Sequence, residues 1–270
     1  MRTTMLPAAL ALGWCLAAHG AAAQEPDQAA IVLELRSGDG GRIGKALDRL
    51  EPHHPFFFAR YPEGFEPTAG LVEALVAAYE REVALGKPNG ELSISILEHI
   101  IATKHPLTID VLTRSLYGSY PAVEALLNFG PSVIPGLAEL ATSPEATPHQ
   151  ANGAMFALRE AVAWWGPELG PGNLEAIRAA AILHLEGAPD FIRGPPALLE
   201  PNMQVHTRGT LFDDAAVIAE ALQDPGLSAV ARDARHPSTG EPGIPDRVRE
   251  NAPSWERARQ RGEARRGGGG

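Results

Sequence analysis

Apolar residues recur along much of this chain three and four positions apart, the spacing that places them on one face of a helix. Ile43, Ala46, Leu47 and Leu50 form such a stripe and predict a helix over 42–50, preceded by a shorter one over 28–36 and a turn at 37–41. Four prolines and two glycines break the pattern over 51–70. Thr68 then offers a side-chain oxygen to cap the next helix, whose core face reads Leu71, Val72, Leu75, Val76 and Tyr79. The segment 86–90, GKPNG, has the composition of a turn. Leu92, Ile96, Leu97, Ile100 and Ile101 line a helix over 92–103, which ends at His105-Pro106 because proline disfavours helical backbone in the residue ahead of it. Further helices are predicted over 107–116, 121–129, 133–141, 151–165, 173–185 and 212–222, with a short last turn at 227–231. Asn173 is placed to cap one of these, and Asp213 or Asp214 another, since helix N-termini favour anions. Residues 142–150 and the proline-rich 187–210 read as loops.

A segment repeats within this run of helices. VEALLNFGPSVIPG at 123–136 returns as REAVAWWGPELGPG at 159–172, so that Glu124, Ala125, Gly130, Pro131, Pro135 and Gly136 recur as Glu160, Ala161, Gly166, Pro167, Pro171 and Gly172. The offset is about 36 residues, a helical-repeat period. Gly130 and Gly166 suit the left-handed closure of a first helix, and Pro131 and Pro167 suit the first turn of a second. A lone helix pair leaves an apolar face wet; stacking pairs buries it, at roughly 25 cal/mol per Å² of apolar area.

With this hinge, the stretch ALLNFGPSVIPGLAEL at 125–140 resembles a HEAT repeat, in which a first helix ends in a small-residue turn before a second, aliphatic helix. The likeness is clear over 122–141, fair over 156–185 and weak over 212–231, while the pair at 92–116 lacks the Gly-Pro hinge. The resemblance implies an all-α fold, an α-solenoid of stacked antiparallel helix pairs, and a role in binding. It carries over no catalytic residue. The helices at 31–50 and 212–231 are the expected polar ends of the stack.

The first residues look like a targeting segment. Arg2 supplies a positive charge, residues 5–18 are apolar apart from Pro7, and Ala21-Ala22-Ala23 gives a small-residue cleavage pattern ahead of Gln24. The apolar run is short of the roughly 20 residues a membrane span needs, so no integral membrane segment is expected in the mature chain. Cys15 is the single cysteine, and cleavage after Ala23 leaves the exported protein without thiol or disulfide. The sequence thus divides into a signal peptide (1–23), a helical repeat domain (24–231) and a tail (232–270). The repeat domain is acidic, with about 13 Lys and Arg against about 27 Asp and Glu, which argues against nucleic acid as partner. From Arg232 the balance reverses, to about 9 Arg against about 6 acids, and the Pro, Gly and Ser content predicts disorder.

Candidate chemistry is sparse. Glu51, His53 and His54 precede Phe56, Phe57, Phe58, Tyr61 and Phe65. This cluster reads as a plug sealing one end of the helix stack, as a partner-binding loop presenting Phe57, Phe58 and Tyr61, or, more weakly, as a metal site of Glu51, His53 and His54. Glu98, His99 and His105 do not make a zinc helix, because its two histidines stand four apart and these stand six apart; they read as solvated or capping side chains. His149, His184 and His206 are isolated in sequence. Trp165 aligns with Phe129 and is expected in the core. Trp164 aligns with the polar Asn128, which makes it either a residue packed on a loop or an exposed anchor for a partner. No nucleophile elbow, phosphate loop or dinucleotide fingerprint is present in the chain.

The sequence therefore predicts an exported, periplasmic or secreted protein that is not an enzyme, needs no cofactor and binds a protein or envelope partner as a scaffold module. The rival readings are an exported hydrolase or metal-binding enzyme built on a His/carboxylate cluster, and a structural envelope component whose Arg-rich tail touches anionic lipid or polymer.

Overall fold

The computed structural model describes residues 27–50, 61, 64–87, 90–116, 120–187, 201–237, 239–241, 256–257 and 259–264, with side chains at all of these except 120, 167 and 201–209. The helices are α1 (Gln28–Leu35), α2 (Gly40–Leu50), α3 (Ala69–Ala84), α4 (Glu91–Thr103), α5 (Ile109–Arg114), α6 (Tyr120–Leu127), α7 (Ile134–Thr142), α8 (Pro148–Trp165), α9 (Gly170–Leu185), α10 (Pro201–Leu222) and α11 (Pro225–Asp233). Single 3-10 turns precede α5, α7 and α9 at Pro106–Thr108, Pro131–Val133 and Gly166–Leu169. The regular structure among the described residues is helical, as the apolar spacing predicts. The chain forms two compact units, residues 1–96 and 97–270.

In the first unit α1 packs against α2 and α3. The expected stripe of Ile43, Ala46, Leu47 and Leu50 is buried, as are Leu71, Val72, Leu75 and Tyr79 on α3. The starts of α1 and α3 are both fixed by side-chain caps. Asp27 accepts from the N–H groups of Ala29 and Ala30, and Thr68 accepts from that of Leu71. The Gln28 amide joins the two helix starts: its oxygen accepts from Thr68 N at 2.8 Å and its nitrogen donates to the Glu66 carbonyl at 3.0 Å.

The buried face of α4 is more polar than its apolar stripe suggests. Ile96 and Ile100 are buried, but so are Ser93, His99 and Thr103, while Leu92, Leu97 and Ile101 are half-buried. The two hydroxyls are buried without loss because local carbonyls accept from them: Ser93 Oγ donates to Lys87 O and Gly90 O at 2.8 Å, and Thr103 Oγ1 to Ile100 O at 2.7 Å. His99 is thus not the solvated residue expected. His105 is a cap, its Nδ1 accepting from Leu107 N at 3.2 Å.

The second unit is organised around α8, which packs on α6, α7 and α10. From Ala157 to Trp165 every residue of α8 is buried, a helix covered on all sides. Its backbone approaches the chain after α5 so closely that a Cβ on Gly153 would lie 2.6 Å from Leu116 Cβ. The α9 helix packs on α7, α10 and α11. Each of the two repeat hinges has a positive-φ glycine, Gly130 at 92° and Gly166 at 49°, followed by its proline and a 3-10 turn. No neighbour crowds a Cβ at either hinge, so backbone conformation alone calls for glycine there.

Several boundaries differ from the expectation. The α8 helix begins at Pro148, inside the predicted 142–150 loop, because Thr147 and Gln150 close a capping box. Asn173 lies inside α9, donating to Leu169 O at 2.8 Å, and does not cap it. Helix α10 starts at Pro201, within the stretch read as a loop, so Asp213 and Asp214 are helix-interior residues rather than caps. The tail is not irregular where it is described: α11 runs to Asp233, a turn follows in which Gly240 N donates to His236 O at 2.8 Å, and residues 256–257 and 259–264 are helical.

Candidate functional site

The chemistry of the second unit gathers in the middle of α8. Arg159 and Glu160 are adjacent in the apolar second half of the helix and are both buried, at 4 % and 1 % exposure. The Arg159 guanidinium donates from Nη1 to Asp214 Oδ1 on α10 at 2.6 Å and from Nη2 to Glu160 Oε1 at 3.1 Å, and it lies 4.4 Å over the Phe156 ring. The other oxygen of Glu160 accepts from Arg261 Nη2 at 2.9 Å, from a position 101 residues further along the chain. Two guanidinium groups and two carboxylates thus alternate in a neutral row, Asp214–Arg159–Glu160–Arg261.

Burial pushes the Asp214 carboxyl up from 3.8 to about 6, opposed by the Arg159 charge beside it and reinforced by Asp213 and Glu160. Such a row resists removal of any of its three buried members, Asp214, Arg159 and Glu160, because the partner left behind is a charge out of water. Both oxygens of Glu160 are engaged by arginines, so the row acts as a clamp between α8, α10 and the 256–264 segment rather than as a free base.

Beside the row, the 256–264 segment meets the end of α8. A Cβ placed on Gly262 would lie 2.6 Å from Trp164 O, 2.8 Å from Trp164 Cα and 2.9 Å from Ala163 O. Only a residue without a side chain lets the two backbones approach this closely. Trp164 is buried here at 5 % exposure, which goes against the exposed anchor and agrees with the packed alternative. Trp165 is buried, as its alignment with Phe129 predicts.

His236 follows α11 and is also buried. It stands edge-on to Phe212, with ring centroids 5.3 Å apart, and its Nε2 is 3.8 Å from Asp213 Oδ1. Its Nδ1 accepts from Thr239 N at 3.2 Å, which puts the neutral ring's proton on Nε2, facing Asp213. His184 is buried between α9 and the end of α7, with Nε2 2.8 Å from the Ala141 carbonyl; burial lowers its pKa and the hydrogen bond partly restores it.

Glu51, His53, His54, Phe57 and Phe58 lie outside the described residues. Tyr61 is half-buried and tilts against Phe65, with centroids 4.9 Å apart. Among the described residues no group of three His, Cys, Asp or Glu is placed to hold a metal, and no helix is long and apolar enough to cross a membrane. The large apolar side chains left most exposed are Leu33 on α1, Leu85 after α3 and Leu107 ahead of α5.

Sequence reasoning missed the charged row, although its signal is present. REAVAWW and FDDAAVIA each hold two charges at the edge of an apolar run, and opposite charges in two apolar helices are expected to meet. Comparison with family models, with curated proteins and with solved structures finds no match to this chain.

Proposed function

We propose that this chain is an exported, non-catalytic helical-repeat module of HEAT-like character that binds a protein partner. The observation that carries this reading is the recurrence of one hinge in two successive helix pairs: a positive-φ glycine, a proline and a 3-10 turn join α6 to α7 and again α8 to α9. In the α6–α9 region α7 packs on both α8 and α9, so the second pair covers apolar surface that the first would leave wet. Modules of this kind present helix faces to partners and supply affinity from a few large apolar anchors. Leu33, Leu85 and Leu107 join Tyr61 as the side chains to test, because each is apolar or aromatic and reaches solvent.

The test is photo-crosslinking of the full chain in the exporting cell, with Leu33→Glu, Leu85→Glu, Leu107→Glu and Tyr61→Ala compared against wild type. A partner captured by wild type and lost from a variant that melts like wild type supports the reading. An unchanged set of captured proteins across all four variants refutes it, and a stoichiometric metal in the purified protein would move the case to a metal site at Glu51, His53 and His54.

A further inference from the structure

We propose that the end of α8 is a docking site for a short helix bearing arginine followed by glycine, and that the chain's own 256–264 segment fills it as a removable intramolecular ligand. Two independent observations define the site. Glu160 is buried and offers one carboxylate oxygen to Arg159 and the other outward to Arg261, so a guanidinium arriving from outside completes the pairing. The backbone of Ala163 and Trp164 leaves room for an approaching helix only where that helix has no Cβ, and Gly262 stands there. An arginine one position before a glycine is therefore what the site recognises: one residue for charge, the next for close approach.

The occupant is suited to release. Its described helical residues, 256–257 and 259–264, fall short of the roughly 12–15 at which isolated helices become even marginal in water, so docking contributes to its order. Its internal support is surface pairing: Arg259 bonds Glu256 at 2.6 Å and also Glu263. Such exposed pairs are screened by water and add little to the helix. Without the segment, Arg159 alone would face Glu160 and Asp214, leaving the row one negative charge in excess and Trp164 uncovered on the side of Gly262. Tethering compensates for weak contacts, since a linked ligand competes at an effective concentration on the order of mM. The segment therefore holds the site closed until a partner segment of the same chemistry displaces it. This regulatory use rests on the protein-binding reading above, whereas the site itself does not.

The experiment uses the full chain and a fluorescent synthetic peptide of residues 251–270. Arg261→Ala and Gly262→Leu in the full chain vacate the site by different routes, the first by charge and the second by volume. Both variants should bind the wild-type peptide at least ten-fold more tightly than the wild-type chain does, and a peptide carrying both changes should not bind. Hydrogen exchange of the amides at the end of α8 should speed up in both variants and slow again with the peptide. Equal binding to wild type and variants, or no binding to variants that keep the wild-type helical signal, overturns the proposal. A concentration-dependent wild-type dimer that dissociates on Gly262→Leu also overturns it, since the segment would then sit on a second copy. None of these outcomes depends on whether a foreign partner is captured, so failure here and failure of the partner-binding reading are distinct results.

Discussion

Residues 123–136 and 159–172 have the same hinge and opposite surroundings. In the first repeat Glu124 and Phe129 are half-buried and Asn128 is exposed; in the second, the aligned Glu160, Trp165 and Trp164 are all buried. Val123, buried in the first, is replaced by the buried Arg159 in the second. The difference comes from what lies on top. Helix α8 is covered by α10 and by the 256–264 segment as well as by α7. A repeat therefore sets the local course of the backbone, and later parts of the chain decide which of its side chains meet solvent.

The largest expected effect separates the repeats by charge. Arg159→Ala leaves Glu160 and Asp214 buried without their shared guanidinium and should cost about 3–5 kcal/mol, read by chemical denaturation. Glu124→Ala at the aligned acid of the first repeat should stay within about 0.5 kcal/mol. Equal losses at the two sites would mean that the two repeats do not differ in how they hold their aligned acids.

Gly153→Ala probes how tightly the second repeat's first helix is enclosed. Its new methyl would meet the Leu116 side chain at 2.6 Å, so overpacking should cost about 1–3 kcal/mol despite alanine's better helix propensity. A neutral or stabilising result would show that the chain after α5 yields.

The hinges should behave alike. Gly130→Ala and Gly166→Ala each force a Cβ into left-handed backbone with no neighbour in the way, so each should lose about 1–2 kcal/mol. A large inequality would mean that the shared hinge does not serve the same purpose in both pairs.

The pH dependence is smaller and has a definite sign. Folding raises the Asp214 pKa from 3.8 to about 6, so between these values the folded chain keeps a proton that the unfolded chain has released. This group's contribution is thus fully present below about 3.8, declines as pH rises through about 6, and is level above that. Asp214→Asn should remove this component, so the stability difference between variant and wild type should change between pH 4 and pH 7. A constant difference would mean that the carboxyl titrates normally.

Much of the fold was legible in the chain. The stripes on α2 and α3 were readable because each is satisfied within a few turns of its own helix, and the hinges because glycine and proline act on their own backbone. The candidate site was not, for reasons of distance. Asp214 looks like a cap until Arg159 is brought to it from 55 residues away. Trp164, aligned with the polar Asn128, reads as a candidate surface residue, whereas Gly262 meets its backbone from a stretch whose composition argues against packing. That argument counts apolar area, whereas the 256–264 segment docks through a charge and a missing side chain, which such counting does not register.

Gln150 carries a consequence of a different kind. Its oxygen completes the cap at the start of α8 by accepting from Thr147 N at 2.9 Å, while its nitrogen donates to Arg114 O at the end of α5 at 2.8 Å. Hydrolysis of that one amide to a carboxylate would keep the first bond and set two oxygens against each other in the second. Chemical ageing of a single residue would thus remove one tie between the end of α5 and α8 while leaving the cap of α8 in place, a lesion that far-ultraviolet circular dichroism would scarcely register and that a change of mass by about one dalton would reveal.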